Sequence, residues 1–148
     1  MKWREEVFAE VFKNFFPKWN PEKVLDIGGG QSEVKKVLKP KKYVNVNMRY
    51  YSGEAWELEN TGKRDEATAD IECDLNNIKK IPLSSKSFDL VVLSQILEHL
   101  YFDAQWRISK EAKRISKKYI VVGLPNELVY YNRLRIFLGA PTIGVSEF

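Results

Sequence analysis

The chain has a single cysteine, Cys73, and a single histidine, His99, in 148 residues. One cysteine excludes an internal disulfide framework and fits a reducing compartment. No apolar run approaches the roughly 20 residues that a membrane span needs. The opening Met1-Lys2-Trp3-Arg4-Glu5-Glu6 lacks the apolar core of a secretory signal. These absences predict a cytoplasmic protein with no membrane partner. Internal repeats and low-complexity tracts are lacking too.

What is present is ordinary for a globular protein: 44% apolar and 30% charged residues. The length suits one domain with a real core, expected over 1–148, and not two. The 24 basic residues outnumber the 20 acidic ones, giving +4. That balance permits an anionic partner without demanding one. Abundant Lys and Glu with only two Met match the composition of thermophile proteins.

Residues 1–20 hold an expected amphipathic helix, Trp3 to Phe16, with Val7, Phe8, Val11, Phe12, Phe15 and Phe16 on one face and Pro17 as its stop. Covering a sheet is the favoured role of that face, with a substrate-side lid as the alternative. Residues 21–125 then alternate between strand and helix patterns. Strands are predicted at Lys23–Ile27, Tyr43–Asn47, Ile71–Asp74, Phe88–Ser94 and Tyr119–Gly123. Helices are predicted at Ser32–Leu38, Gln95–Leu100 and Asp103–Ser116. Residues 126–148 add a helix, Glu127–Leu138, closed by Gly139 and Pro141, and a tail. The alternation predicts an α/β fold: a doubly wound, mainly parallel sheet of about five strands in three layers, α/β/α. Arg49–Thr68, with Tyr50, Tyr51, Trp56 and a turn at Asn60-Thr61-Gly62, fits neither pattern. It reads equally as a functional loop or a solvated excursion.

Val24-Leu25-Asp26-Ile27-Gly28-Gly29-Gly30 carries the most chemical information. An apolar strand ends beside an acid and opens into three glycines, which allow backbone to approach a ligand closely. Ligands of open α/β sheets bind outside the carboxyl ends of the strands. A dinucleotide fingerprint needs Gly-x-Gly-x-x-Gly. Gly28 and Gly30 fit, but Glu33 takes the third place, and with Asp26 it would repel a pyrophosphate. A cationic cofactor reverses that sign.

At this point the chain resembles the class I S-adenosylmethionine-dependent methyltransferases, of the small-molecule type. Four segments carry the resemblance in order: Val24–Gly30; Asn45-Val46-Asn47-Met48, where the second strand ends; Cys73-Asp74-Leu75-Asn76 followed by Ile81-Pro82-Leu83; and Ser87 through Leu100. The resemblance covers about residues 20 to 125 and implies S-adenosyl-L-methionine as cofactor. It implies that Asp26, Gly28, Gly29 and Gly30 surround the methionine and ribose, with Asn47 and Met48 on the ribose side. Asp74 and Leu75 would read the adenine, and Ser94 and Gln95 would line the floor under the sulfonium. Asp74 as a turn former and Ser94 as a helix N-cap are the plain structural alternatives.

The chain departs from the family in three places. Asn47 stands where an acid usually clasps the ribose hydroxyls, and an amide lacks charge-assisted strength. Gln31 replaces a commoner small residue. The usual final hairpin, strands six and seven of the order 3-2-1-4-5-7-6, is missing, so the chain reads as a truncated or naturally short member. Its fifth strand would be an open edge, expected to be covered by Thr142–Phe148, a second copy or another subunit.

His99 is the candidate general base, although a structural role for Glu98 and His99 is favoured. Related enzymes carry Glu-x-x-Glu-His as a metal site. Here Gln95 replaces the first acid and no second histidine exists, so no metal is expected. The run Lys110, Lys113, Arg114, Lys117, Lys118 lacks interleaved aromatics and is read as a solvated helix face; the cluster from Lys35 to Lys42 takes the same discount. Nucleic acid is therefore not an expected partner. Leu124-Pro125-Asn126 follows the wrong strand, and lacks the second proline and aromatic, to be an amino-methylating signature. The expected function is methyl transfer to an acceptor that the sequence does not name. The alternatives are a non-catalytic methyltransferase-like binding subunit and, less favoured, a dinucleotide oxidoreductase.

Overall fold

The computed structural model describes residues 2–30, 32–48, 69–124 and 137. The elements are α1 (Lys2–Phe15), β1 (Lys23–Ile27), α2 (Glu33–Leu38), β2 (Lys42–Asn47), β3 (Ile71–Glu72), β4 (Phe88–Ser94), a 3₁₀ turn (Leu97–His99), α3 (Phe102–Ile115) and β5 (Ser116–Gly123). The strands form one sheet in the order β3-β2-β1-β4-β5, and every neighbouring pair is parallel.

The apolar runs of β1 and β4 explain their central places. Val24, Leu25 and Ile27 of β1 and Leu90 through Leu93 of β4 are buried from both sides, as strands covered on both faces must be. On one face Phe8 and Phe12 of α1 and Val34 of α2 pack with Val24, Leu90 and Val92. On the other, Ala104, Ile108, Ala112 and Ile115 of α3 pack with Leu25, Ile27, Val91 and Leu93. The result is the expected three-layer α/β/α arrangement. The chain goes from β1 to β2 on one side and crosses to β4 on the other. The crevice between the carboxyl ends of β1 and β4 is thus the switch point of the sheet.

Helix α1 covers the sheet and is not a lid, but its buried stripe is narrower than its sequence suggests. Phe8 and Phe12 are buried, one turn apart, while Val7 and Phe15 are exposed. Phe16 and Trp19 continue the stripe and meet Tyr119 of β5, with ring centroids 5.0 and 4.9 Å away. Aromatic clusters of this geometry add to area burial, and this one ties the N-terminal segment to the edge strand.

Three sequence expectations need correction. The predicted helix Gln95–Leu100 reduces to the single 3₁₀ turn. Gln95 takes a left-handed φ of 51°, and its N–H donates to the Gly123 carbonyl at 2.8 Å, so helical dihedrals cannot start there. Ser94 consequently ends β4 and caps no helix. The strand predicted at Ile71–Asp74 stops at Glu72, because Asp74 starts a turn. Strand β5, for its part, begins at Ser116 and not Tyr119; its early part is held by Lys86 Nζ on the Ser116 carbonyl at 2.8 Å and adjoins an irregular register between Phe88 and Leu90. Arg49–Thr68, the Glu127–Leu138 helix (Phe137 apart) and the Thr142–Phe148 cover lie outside the described residues. No helix among the described residues is long and apolar enough to cross a membrane.

One member of the basic run is structural. Arg114 bonds both Glu111 oxygens, Nε at 2.8 Å and Nη2 at 2.6 Å. It also donates to the carbonyls of Leu83 and Ile81 at 2.7 and 3.0 Å, and Glu111 accepts the Ile81 N–H at 2.9 Å. The guanidinium holds the Glu111 carboxyl below its ordinary pKa. The clamp fastens the loop before β4 to α3. Arg114→Met should lower stability by about 2–3 kcal/mol in urea titration, since Glu111 and two carbonyls lose their partner; an unchanged midpoint would show that the clamp is idle.

Candidate functional site

All four parallel strands β1 to β4 end on one edge of the sheet. That edge therefore collects Asp26 and the glycines after β1, Asn47 and Met48 at the end of β2, Asp74 and Leu75 just after β3, and Ser94 and Gln95 at the end of β4. Residues far apart in sequence become neighbours because parallel strands share a direction.

The glycine loop is shaped from below. Gly28 and Gly30 have φ of 75° and 49°, the left-handed region that glycine enters without penalty. Gly28 donates its N–H to the Val46 carbonyl at 2.8 Å. A Cβ on Gly28 would lie 2.4 Å from Cγ1 of Ile96. A Cβ on Gly29 would lie 2.5 Å from the carboxyl carbon of Asp26 and 2.9 Å from Oδ1 of Asn45. The loop thus lies directly on two polar side chains of adjacent strands, for Asp26 and Asn45 are register partners.

Asn45 supports the glycine loop and was not singled out from the sequence. Its Oδ1 accepts the Gly29 N–H at 3.1 Å. Its Nδ2 reaches the Gly30 carbonyl and Ser32 Oγ at 3.4 and 3.5 Å. Its backbone exchanges bonds with Asp70, N–H to Oδ2 at 2.8 Å and carbonyl to N–H at 2.9 Å. The sequence shows only an amide inside the alternating strand Tyr43-Val44-Asn45-Val46-Asn47; its full burial, which makes partners necessary, is a finding of the structure.

Asp26 is 1% exposed. The Tyr43 hydroxyl donates to Oδ2 at 2.7 Å, while Oδ1 is buried with no hydrogen-bond partner. Burial pushes its pKa from 3.8 to about 7, against the Tyr43 hydrogen bond, and the Glu33 charge adds to the rise. Burial and the Asp26 charge hold the Tyr43 phenol well above its usual range, so it stays a donor. The carboxyl therefore lies underneath the loop and not on its open surface.

Asn47 is also buried. Its Oδ1 accepts the Met48 N–H at 2.8 Å, and its Nδ2 has no partner. Met48 is half-exposed next to it. Asp74 forms a turn: Oδ1 accepts the Asn76 N–H at 2.9 Å, Oδ2 accepts Asn77 Nδ2 at 2.6 Å, and its carbonyl accepts the N–H groups of Asn77 and Ile78. Leu75 is buried in the core. Asn76 locks this turn to α3 by accepting the Tyr101 N–H at 2.9 Å and a bond from Arg107. Ser94 is half-buried, its Oγ 3.1 Å from where a Cβ on Gly123 would stand. His99 is exposed on the 3₁₀ turn that follows on the same edge. Cys73 is half-buried, with its thiol pKa raised by burial and by Asp74. Among the described residues no three His, Cys, Asp or Glu side chains come together as a metal site.

A family model described as methyltransferase domain matches residues 25–120, from the first strand to the fifth. The chain belongs to this methyltransferase-domain family. No curated protein sequence matches it. Solved structures share the fold. A protein of Pyrococcus horikoshii superposes with TM-score 0.62 at 19% identity, covering 93% of this chain and 60% of its own. A SAM-dependent methyltransferase of Archaeoglobus fulgidus gives 0.57 at 22%, covering 90% and 59%. A SAM-dependent methyltransferase of Thermotoga maritima gives 0.55 at 22%, covering 90% and 57%. This methyltransferase domain thus spans under two thirds of the length of these neighbours.

S-adenosylmethionine, the cofactor that the resemblance implies, fits the residues present. Gly28 and Gly29 have no room for side chains, an acid lies under the loop, and the Asn47 amide is an unpaired donor on the same edge. The acid also dictates a pH response. The folded carboxyl keeps its proton up to about pH 7, whereas an unfolded one loses it near 3.8. Between these values folding takes up a proton, so stability falls as pH rises. The fall is on the order of 4 kcal/mol for this one group. In urea titrations, Asp26→Asn should gain on the wild type from pH 4 to 7 and run parallel above it. Profiles that are parallel throughout would place the Asp26 titration elsewhere.

Proposed function

We propose that this domain binds S-adenosylmethionine along the carboxyl edge of the sheet and transfers its methyl group to an acceptor. One observation carries the reading: the acid of Asp26, with an unpartnered oxygen, lies under a glycine loop at the switch point of a methyltransferase-family sheet. With Glu33 beside it, that acid in its ionised form opposes a phosphate ester and favours a cation. The neighbours from Archaeoglobus fulgidus and Thermotoga maritima, themselves SAM-dependent methyltransferases, support the same cofactor.

When bound, S-adenosylmethionine supplies a methyl group already activated by its sulfonium. The chain has to align an acceptor in line with that carbon and keep water away. The glycine loop lets backbone approach the cofactor. Asn47 Nδ2 would donate to a ribose oxygen, which gives it the partner it lacks. The Asp74–Asn77 turn would flank the adenine with backbone, since the Asp74 oxygens already hold the turn. Ser94 and Gln95 would form the floor, and His99 would take the acceptor's proton where one must leave. The single thiol of Cys73 supports a reducing, cytoplasmic setting.

A non-catalytic binding subunit is favoured by one residue. The Asn47 amide in place of an acid weakens the ribose clasp. Calorimetry should show S-adenosylhomocysteine binding with no binding of NAD. Asn47→Ala should weaken it about five- to tenfold, and Gly29→Ala should abolish it. NAD binding in preference would overturn the cofactor. With a labelled methyl donor and a cell lysate, transfer separates an enzyme from a binding subunit. His99→Ala should then cut kcat by 10²-fold or more, about the lower bound for an acid–base group, while S-adenosylhomocysteine affinity stays unchanged. An unaltered kcat removes His99 as the base.

A further inference from the structure

Helix α3 buries one face and leaves another unexplained. Ala104, Ile108, Ala112 and Ile115 face the sheet. On the outer face Phe102 is 87% exposed and Trp106 65% exposed. Lys110 and Lys113 follow on the same side and are exposed too. Spacings of four, four and three residues set these side chains in one stripe along the helix. The ammonium of Lys110 stands 4.9 Å from the centroid of the Trp106 ring. The exposed acid beside the stripe, Asp103, is paired with Arg107 at 3.3 Å. Lys113 alone could be explained by the negative end of the helix dipole. Large exposed aromatics cannot, and contiguous ones mark an interaction site.

The stripe has a direction. Its aromatic end adjoins the carboxyl edge of the sheet, because the Tyr101 N–H is bonded to Asn76 in the turn after β3. Tyr101 is itself 69% exposed there. Its cationic end points to the opposite edge. The helix is about 21 Å long at 1.5 Å per residue, room for several nucleotides. Flat rings at one end and positive charge at the other match a ligand with flat bases and a negative backbone. An apolar partner or a second copy of this chain, itself at +4, would leave the lysines without a role.

We propose that the outer face of α3 is a docking strip for single-stranded nucleic acid, with bases stacking on Phe102 and Trp106 and phosphates meeting Lys110 and Lys113. The aromatics that the sequence reading found missing from the basic run lie one and two turns ahead of it. The inference does not depend on methyl transfer, since none of these four side chains is among those assigned to the cofactor.

The test is fluorescence anisotropy of a labelled single-stranded oligoadenylate of about twelve nucleotides, titrated with the full chain at low salt. Binding should quench tryptophan emission. The double variant Phe102→Ala, Trp106→Ala should lose affinity tenfold or more, in line with about 1–3 kcal/mol per stacked base. Lys110→Glu with Lys113→Glu should lose a similar amount and flatten the salt dependence by about 0.7 per phosphate contact. All four side chains are exposed, so both variants keep the fold. A duplex of the same length should bind more weakly. The proposal is overturned by no binding at low salt, by full affinity in the aromatic variant, by equal binding of duplex or inorganic polyphosphate, or by a dimer that the aromatic variant dissolves.

Discussion

Gly29 rests on the carboxyl of Asp26 with no space for a side chain between them, and the arrangement of the site follows from that contact. The acid is buried because the loop covers it. The loop can cover it because Asn45, its neighbour on β2, holds the Gly29 amide, and because Tyr43 shares the charge from the other side. Burial without full pairing raises the cost of the charged form. The site therefore holds, under its floor, an acid whose charged form a cation above would stabilise and a phosphate would not. Strain of this sort at a ligand edge is expected where sequences depart from the best-packed choice.

The sheet itself is a simpler consequence of pattern. Two nearly all-apolar strands, β1 and β4, must be covered on both faces; α1 and α2 supply the cover on one face and α3 on the other. Parallel strands then end together. Asp26, Asn47, Asp74 and Ser94 need no direct contact in sequence to share one edge. The turn at Asp74 and the start of α3 are joined by Asn76, and the loop before β4 is joined to α3 by Glu111 and Arg114. These polar fastenings fix segments that carry little apolar surface of their own.

Much of this was legible in the sequence, and the failures have physical causes. Strands β1 and β4 and the glycine loop followed from apolar runs and glycine punctuation, whereas the edge positions Asn47, Asp74 and Ser94 followed from the family resemblance. The helix expected at Gln95–Leu100 failed because its residues have helical character but Gln95 is held left-handed by the chain end of β5, a contact remote in sequence. Val7 and Phe15 of α1 were assigned to the core by periodicity alone, yet the sheet offers α1 only the width of Phe8 and Phe12. Asn45 escaped notice because an asparagine in a strand carries no sign of which loop it will hold. The burial of Asp26 was not legible, since sequence shows an acid after a strand but not the glycine that closes over it.

The claim that most rests on is the state of that one carboxyl. Carbon-detected NMR of the Asp26 carboxyl across a pH titration would measure it directly. The account predicts a midpoint near 7 in the protein alone, moving down on addition of S-adenosylmethionine and less so with S-adenosylhomocysteine, which lacks the sulfonium charge. A midpoint at the ordinary value of 3.8, or one that neither compound moves, would contradict it.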